Sequence, residues 1–330
     1  MGGETRRQAV HWTQESEKAA GYWQLKFLLF LFRIFPVIVL RIIAFPVGFF
    51  YFVFSKSART ESYRFFQRIA GFIEDPSLAK RCRSAFAPLR HIISFSLTMI
   101  EKIQAWDGRF SLKNIEFHDD DIAQLKSSLE QGKGAFLVFS HLGNSELLRG
   151  LLNFNRTGVS RNIPVTAIMD MKVTSHFRRM LKELNPRSSV DIIGSDEIGP
   201  QTADILESRL AEGGLVLVSG DRTPAAGDKN LMIPFFGKPA PFPFGIFYLF
   251  SLLEYPVYFV FGVNKGNLSL IPRYNMYVHK YSISFDCPRK EKIQRTSLLA
   301  QSFADYLESY CKKYPFQWYN FFDFWQEGEV

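Results

Sequence analysis

Ser140-His141-Leu-Gly-Asn-Ser-Glu146 sets an imidazole five residues ahead of a carboxylate. A neutral imidazole titrates near physiological pH, so it can take the proton of an alcohol or of water. A carboxylate on the other ring nitrogen fixes the tautomer and stabilises the imidazolium, as the acid of a hydrolytic triad does. The bland alternative is a structural histidine at a helix start, with Glu146 an ordinary first-turn acid. Spacing alone does not separate the two, because such pairs are common by chance. Gly143 lets the turn between the two groups tighten, and nearby helix N–H groups can face an anion.

The chain lacks G-x-S-x-G, a Walker A loop and G-x-G-x-x-G, which excludes the usual hydrolase elbow and nucleotide fingerprints. His11, His91, His118, His141, His176 and His279 do not cluster with cysteine, so no metal site is expected. Cys82, Cys287 and Cys311 form no C-x-x-C pair and lie far apart, which favours a reducing compartment over a disulfide-stapled module.

The elements around the motif decide its placement. Gly134 to Phe139 is a continuous apolar run after a Gly-Lys-Gly turn and reads as a buried strand. Ser145 to Phe154 reads as a helix with Asn144 or Ser145 as its cap. The pair therefore falls at the carboxyl end of a strand, where open α/β sheets keep their sites. Further strands are expected at Val165–Met169, Ser189–Ile193 and Leu215–Val218. Val257–Val263 and Leu268–Tyr274 flank Asn264-Lys-Gly-Asn267, a hairpin signal. Helices are expected over Arg59–Ile103 with breaks at Pro76 and Pro88, and at Thr174–Leu184, Pro200–Ala211, Pro243–Leu253 and Arg289–Lys313. Strands alternating with helices predict an α/β fold, a mostly parallel sheet covered on both faces.

Composition adds a partner. The 330 residues hold 34 phenylalanines, an unusual load for a water-soluble enzyme. Phe27–Phe54 is apolar except for Arg33 and Arg41, and is punctuated by Pro36 and Pro46. Its longest uncharged stretch, Ile42–Phe54, is short of the ~20 residues a spanning helix needs. It reads as a kinked helix whose arginines snorkel to headgroups, or as an interfacial hairpin bent at the prolines; a core helix is the bland alternative. Residues 1–68 carry six of the net eight positive charges. Cations framing an apolar run suit anionic lipid on the cytoplasmic leaflet rather than nucleic acid.

The chain resembles the lysophospholipid acyltransferase superfamily, in its branch of bacterial lipid A biosynthesis (late) acyltransferases, from about Trp23 to Trp325. His141-x-x-x-x-Glu146 is the most specific piece. Ser219-Gly-Asp-Arg-Thr-Pro224, Ile233-Pro-Phe-Phe-Gly-Lys-Pro-Ala240 and Tyr314-Pro-Phe-Gln-Trp318 are similar to further family signatures. The lipid A enzymes more often carry Asp-Gln where this chain has Asp221-Arg222. The resemblance therefore implies the chemistry and leaves the acceptor open among lipid and glycolipid hydroxyls.

It implies transfer of an acyl group from an acyl carrier protein or CoA thioester, with no other cofactor and no acyl-enzyme. His141 is then the base and Glu146 its partner. Gly143, Asn144, Asp221, Arg222 and Arg178 (with Arg179) fall to substrate binding: Asn144 as an oxyanion donor or a helix cap, the arginines as phosphate ligands or an internal ion pair and a solvated face. Phe235, Phe236, Phe242 and Phe244 suit an acyl tunnel or a core. Residues 1–58 become the basic anchor and 59–330 the acyltransferase domain, working on the cytoplasmic side of a bacterial inner membrane. The rival readings are a lipid or thioester hydrolase using the same pair, and a non-catalytic membrane scaffold.

Overall fold

The computed structural model describes residues 27, 30–32, 34–106, 110, 112–118, 121–153, 158–169, 190–195, 198–223, 229–266 and 268–326. The expected helix at Thr174–Leu184 lies outside them, as do Arg33, Arg178 and Arg179.

Among the described residues, α1 (Val37–Phe54), α2 (Lys56–Ile69), α3 (Pro76–Cys82) and α4 (Ala87–Trp106) precede the sheet. Pro76 opens α3, where a missing N–H costs nothing, and Asp75 accepts from the amides of Ser77 and Leu78. The sheet elements follow. They are β1 (Ile115–Phe117), α5 (Asp121–Glu130), β2 (Ala135–Gly143), α6 (Glu146–Asn153), β3 (Val165–Met169), β4 (Val190–Gly194), α7 (Pro200–Ala211) and β5 (Leu215–Ser219). A hairpin of β6 (Asn230–Phe235) and β7 (Lys238–Pro243) comes next. α8 (Phe244–Leu253), β8 (Val257–Asn264), β9 (Tyr274–Lys280) and α9 (Arg289–Lys313) complete the fold.

Among the described residues the main sheet has seven strands in the order β1-β9-β8-β2-β5-β3-β4, all pairs parallel except β8 with β9. Alternate side chains of each strand feed two cores. One face packs Phe136, Val138, Val216, Phe259 and Phe261 on α8 and α9 through Phe247, Phe250 and Phe303. The other packs Leu137, Ala167, Leu217 and Tyr258 on Leu125 and Leu147 of α5 and α6. This is the expected mostly parallel α/β sheet with helices on both faces. β2 lies at its centre, and the strand order reverses beside it.

Four local expectations change. β2 does not stop at Phe139: it runs on through Ser140 and His141 to Gly143, with its pairing to β8 shifting between Phe139 and Gly143. The second hairpin strand begins at Tyr274 rather than Leu268, because Asn264 pairs with Tyr274 and the loop before it is drawn to Arg41 through the Ser269 carbonyl. Phe235 and Phe242 are buried in the core against Trp318, Phe303 and Phe324, and Phe236 is buried against Phe235 and Phe72, which is the core reading of these rings and not the tunnel.

The fourth change concerns the apolar front. Pro36 precedes α1 and Pro46 sits inside it; the described residues before Phe35 are helical too, so the run is broken at Pro36 and continuous through Pro46. α1 is long and apolar enough to cross a membrane by length and composition. It lies antiparallel on α4, with Arg41 beside Glu101 and Gly48 against Ile93 and Ser96. A Cβ at Gly48 would lie 3.0 Å from Ser96 Oγ and 3.1 Å from Ile93, so a side chain there would push the two helices apart by a few tenths of an ångström. Arg41 does not snorkel. It is fully buried, donates to Glu101 Oε1 at 2.5 Å and to the Ser269 carbonyl, and Glu101 also receives Tyr274 and Asn264. The outward face (Ile38, Ile42, Val47, Phe50 and Phe54 among others) is exposed.

Candidate active site

His141 stands two residues before the end of the central strand. Gly143 closes that strand with φ +68°, and a Cβ there would fall 2.0 Å from the Gly262 carbonyl, so only glycine passes. The Asn144 amide then donates to the same carbonyl at 2.8 Å, and the chain turns into α6. β5 lies beside β2 in parallel register, with Phe139 opposite Ser219, so Asp221 arrives next to His141 although 80 residues separate them in sequence.

The ring is held by Asp221, not by Glu146. His141 Nδ1 is 2.8 Å from Asp221 Oδ1, and the His141 backbone amide donates to Asp221 Oδ2 at 2.8 Å. Ser219 Oγ donates to Oδ1 at 2.8 Å and the Trp318 indole N–H to Oδ2 at 3.0 Å, so both carboxylate oxygens carry two contacts. Asp221 is buried, while 34% of the His141 side chain remains exposed. The parallel strand ends explain the correction. They bring Asp221 to the imidazole edge, whereas the first turn of α6 carries Glu146 to Trp106 of α4, whose indole N–H donates to Glu146 Oε2 at 2.8 Å.

Charge follows from this geometry. Burial alone would raise the Asp221 carboxyl, but His141, Arg222 and the Trp318 N–H override it and hold the group below the ordinary carboxylate range. Burial and the Arg222 cation lower the His141 pKa against the pull of Asp221, which keeps the ring neutral at neutral pH. Burial brings Arg222 down to about 10, with Asp221 acting in the opposite sense. Its Nε lies 3.4 Å from His141 Nδ1, and its guanidinium stacks 4.6 Å from the centre of the Phe322 ring.

The closing segment of the chain completes the site. Leu142 forms an antiparallel bridge with Trp318, the Tyr319 amide donates to the His141 carbonyl at 3.1 Å, and the Arg222 guanidinium reaches the Tyr319 carbonyl. Asn144 is fully buried. Its Oδ1 accepts from the Glu146 amide at 3.2 Å, as a cap does, while its Nδ2 has no hydrogen-bond partner among the described residues. The structure thus gathers His141, Gly143, Asn144, Asp221 and Arg222. Arg178 lies outside the described residues.

Sequence reasoning missed Trp318 and Ser219 as supports of the carboxylate, and Trp106 as the partner of Glu146. Trp318 lay within a motif already singled out, and Ser219 is two residues from Asp221. Trp106, at the end of a long helix, leaves no local signal.

The family model for bacterial lipid A biosynthesis acyltransferase matches residues 10–327. The chain belongs to this family. A comparison with curated proteins gives no match. Membership establishes an acyltransferase of the late lipid A type, and with it an acyl donor and a lipid acceptor in general terms.

Proposed function

We propose that this acyltransferase moves a fatty acyl group from a carrier thioester directly to a hydroxyl of a lipid or glycolipid, with His141 as general base. The observation that carries the reading is a half-exposed imidazole whose Nδ1 is bonded to a buried, fully hydrogen-bonded carboxylate. With Nδ1–H given to Asp221, Nε2 is the basic nitrogen. It takes the acceptor hydroxyl proton as the oxygen attacks the thioester carbonyl, and returns a proton to the leaving thiolate when the tetrahedral intermediate collapses. The acceptor supplies the nucleophile, so no enzyme serine or cysteine is acylated. A base so placed contributes about 10² to 10⁴ in rate.

Glu146 adds the second negative charge of the site. Fixed by the Trp106 indole in the first turn after His141, it favours the imidazolium that forms during attack. The unused Nδ2 of Asn144 is a donor for the oxyanion. The positive charge of Arg222 offsets the developing anion or a phosphate of the donor arm.

The donor is an acyl carrier protein or CoA thioester, both acidic partners for a basic protein. The exposed apolar face of α1 and the basic front support the reading that the work is done at the cytoplasmic side of the inner membrane.

Purified protein in detergent, given labelled acyl thioester with and without lipid extract, tests the reading. Label should pass to lipid only when acceptor is present, and His141→Ala and Glu146→Ala should both abolish transfer while the protein stays folded. Release of free fatty acid independent of acceptor would indicate a hydrolase. Unchanged transfer in His141→Ala would remove the base.

A further inference from the structure

On the flank of α1, away from His141, a cleft of about 400 Å³ is lined by Arg81, Ser84, Phe86, Arg90, Ile93 and Leu268, among others. Its walls are mostly apolar, yet two arginines enter it from the last turn of α3 and the first turn of α4. Neither guanidinium has an acidic partner among the described residues; both lie over the Phe316 ring, at 5.9 Å for Arg81 and 5.5 Å for Arg90. Two cations beside a largely apolar cleft repel one another, so the arrangement gains from an anion that brings its own apolar portion. Burial and the Arg81 charge both lower the Arg90 pKa, in line with a cation lacking a counter-charge.

The neighbouring element names the source of that anion. Ile93, in the cleft wall, also touches α1 at Gly48, so the cleft borders the helix whose exposed face is almost wholly apolar. α1 rests on α4 through Leu40, Arg41, Ala44 and Gly48 against Leu97 and Ile103 among others, and α4 is in turn held to the sheet domain by His91 and Thr98 on the closing segment and by Ala105 against Gly150 of α6. A helix fastened in this way cannot cross a bilayer without drawing the domain in with it. This favours an orientation in the plane of the interface, with the cleft near the headgroups.

We infer that the Arg81–Arg90 cleft binds the phosphate headgroup of an anionic membrane phospholipid, with the first methylenes of its chains against Phe86, Ile93 and Leu268. The inference stands apart from the acyl-transfer reading, because none of these residues belongs to the His141 site.

Co-sedimentation of the full chain with vesicles tests it. Wild type should bind vesicles of phosphatidylcholine with 20% phosphatidic acid (a composition on the order of natural anionic content) more tightly than pure phosphatidylcholine. Arg81→Gln/Arg90→Gln should lose most of that increment and keep wild-type binding to the neutral vesicles, which also reports that the protein is folded. Lys56→Gln/Arg59→Gln, which removes the same charge from α2, should lose much less. Millimolar inorganic phosphate should not compete, whereas soluble dihexanoyl phosphatidic acid should. Equal losses in the two double variants would reduce the cleft to general surface charge and overturn the proposal. So would an unchanged anionic preference in Arg81→Gln/Arg90→Gln, and competition by inorganic phosphate would replace the lipid with a free-anion site.

Discussion

The indole N–H of Trp318 donates to Asp221 Oδ2 at 3.0 Å, so the carboxylate that orients His141 is itself held by the end of the chain. Trp318 is almost completely buried, with its ring against Phe65, Phe235 and Phe324. The closing segment thereby links the N-terminal helices, the β6–β7 hairpin and the end of β2. Trp318→Phe should preserve most of the ring contacts and remove the donor, leaving a buried acceptor under-satisfied. A cost of about 1–3 kcal/mol follows, read as a melting temperature several degrees lower, together with reduced transfer. Wild-type values of both would show that Asp221 does not depend on the indole.

Asp221→Asn tests the carboxylate itself. The amide is nearly the same size, so the fold should persist, but it offers an N–H where His141 needs an acceptor and supplies no charge for the imidazolium. A fall in kcat of about 10³ to 10⁴ is expected, on the scale that loss of a triad acid produces. Circular dichroism and vesicle binding should match wild type. A loss below about ten-fold would mean that the ring is oriented from elsewhere, with Glu146 the first candidate.

Much of this was legible in the sequence. Continuous apolar runs marked β2, β3 and β5 because strands buried on both faces need no alternation, and α7 and α9 matched their helical patterns to the residue. The β6–β7 hairpin was not legible: Pro234, Pro239, Pro241 and Pro243 read as breakers, and are accommodated because a two-stranded ribbon leaves its outer edges unpaired. His141 was found from local spacing, and its partner was misassigned for the same reason. Local sequence offers the acid five residues on, whereas the fold delivers the acid from the neighbouring parallel strand. Arg41 failed similarly. Composition reads an arginine in an apolar helix as snorkelling, and only the tertiary structure supplies Glu101.

The pH dependence follows from the groups around the ring. In the proposed mechanism only neutral His141 accepts the hydroxyl proton, so kcat/KM should fall on the acid side as the ring protonates. Burial and Arg222 lower its pKa from the ordinary 6.5 against the opposing effect of Asp221, and the acid limb should therefore lie below that value. Arg222→Gln removes the neighbouring cation and should move the limb to higher pH, whatever it does to the maximal rate. A limb that stays in place would show that Arg222 does not act on the imidazole.

Stability should carry a separate acid signature from His91. This ring is completely buried, 2.9 Å from Ser62 Oγ through Nδ1 and 2.9 Å from the Trp318 carbonyl through Nε2, and burial takes its pKa down to about 3 despite the favourable carbonyl. The folded pKa is depressed, so between about pH 6.5 and 3 the unfolded chain binds the extra proton and folding stability falls as pH falls. Each unit of that interval is worth about 1.4 kcal/mol at most. His91→Gln keeps polar groups for both partners without a titrating ring. Its denaturation midpoint should start below wild type at pH 7.5 and then decline less steeply toward pH 5. Parallel curves would show that His91 stays neutral in neither state or titrates alike in both.

Arg41 and Glu101 give the sharpest stability test, because both side chains are about 1% exposed and their pairing fastens α1 to α4. Removing one partner leaves a charge in the interior, which costs about 3–5 kcal/mol, whereas replacing both with apolar residues can be far less damaging. Arg41→Leu and Glu101→Leu should each lower the denaturation midpoint strongly in detergent, and Arg41→Leu/Glu101→Leu should recover much of the loss. The single variants should also become easier to cleave between α1 and α2 under limited proteolysis, since the helix loses its main polar tether. Additive losses in the double variant would mean that the two residues stabilise the fold independently, and that α1 is held to α4 by its apolar contacts alone.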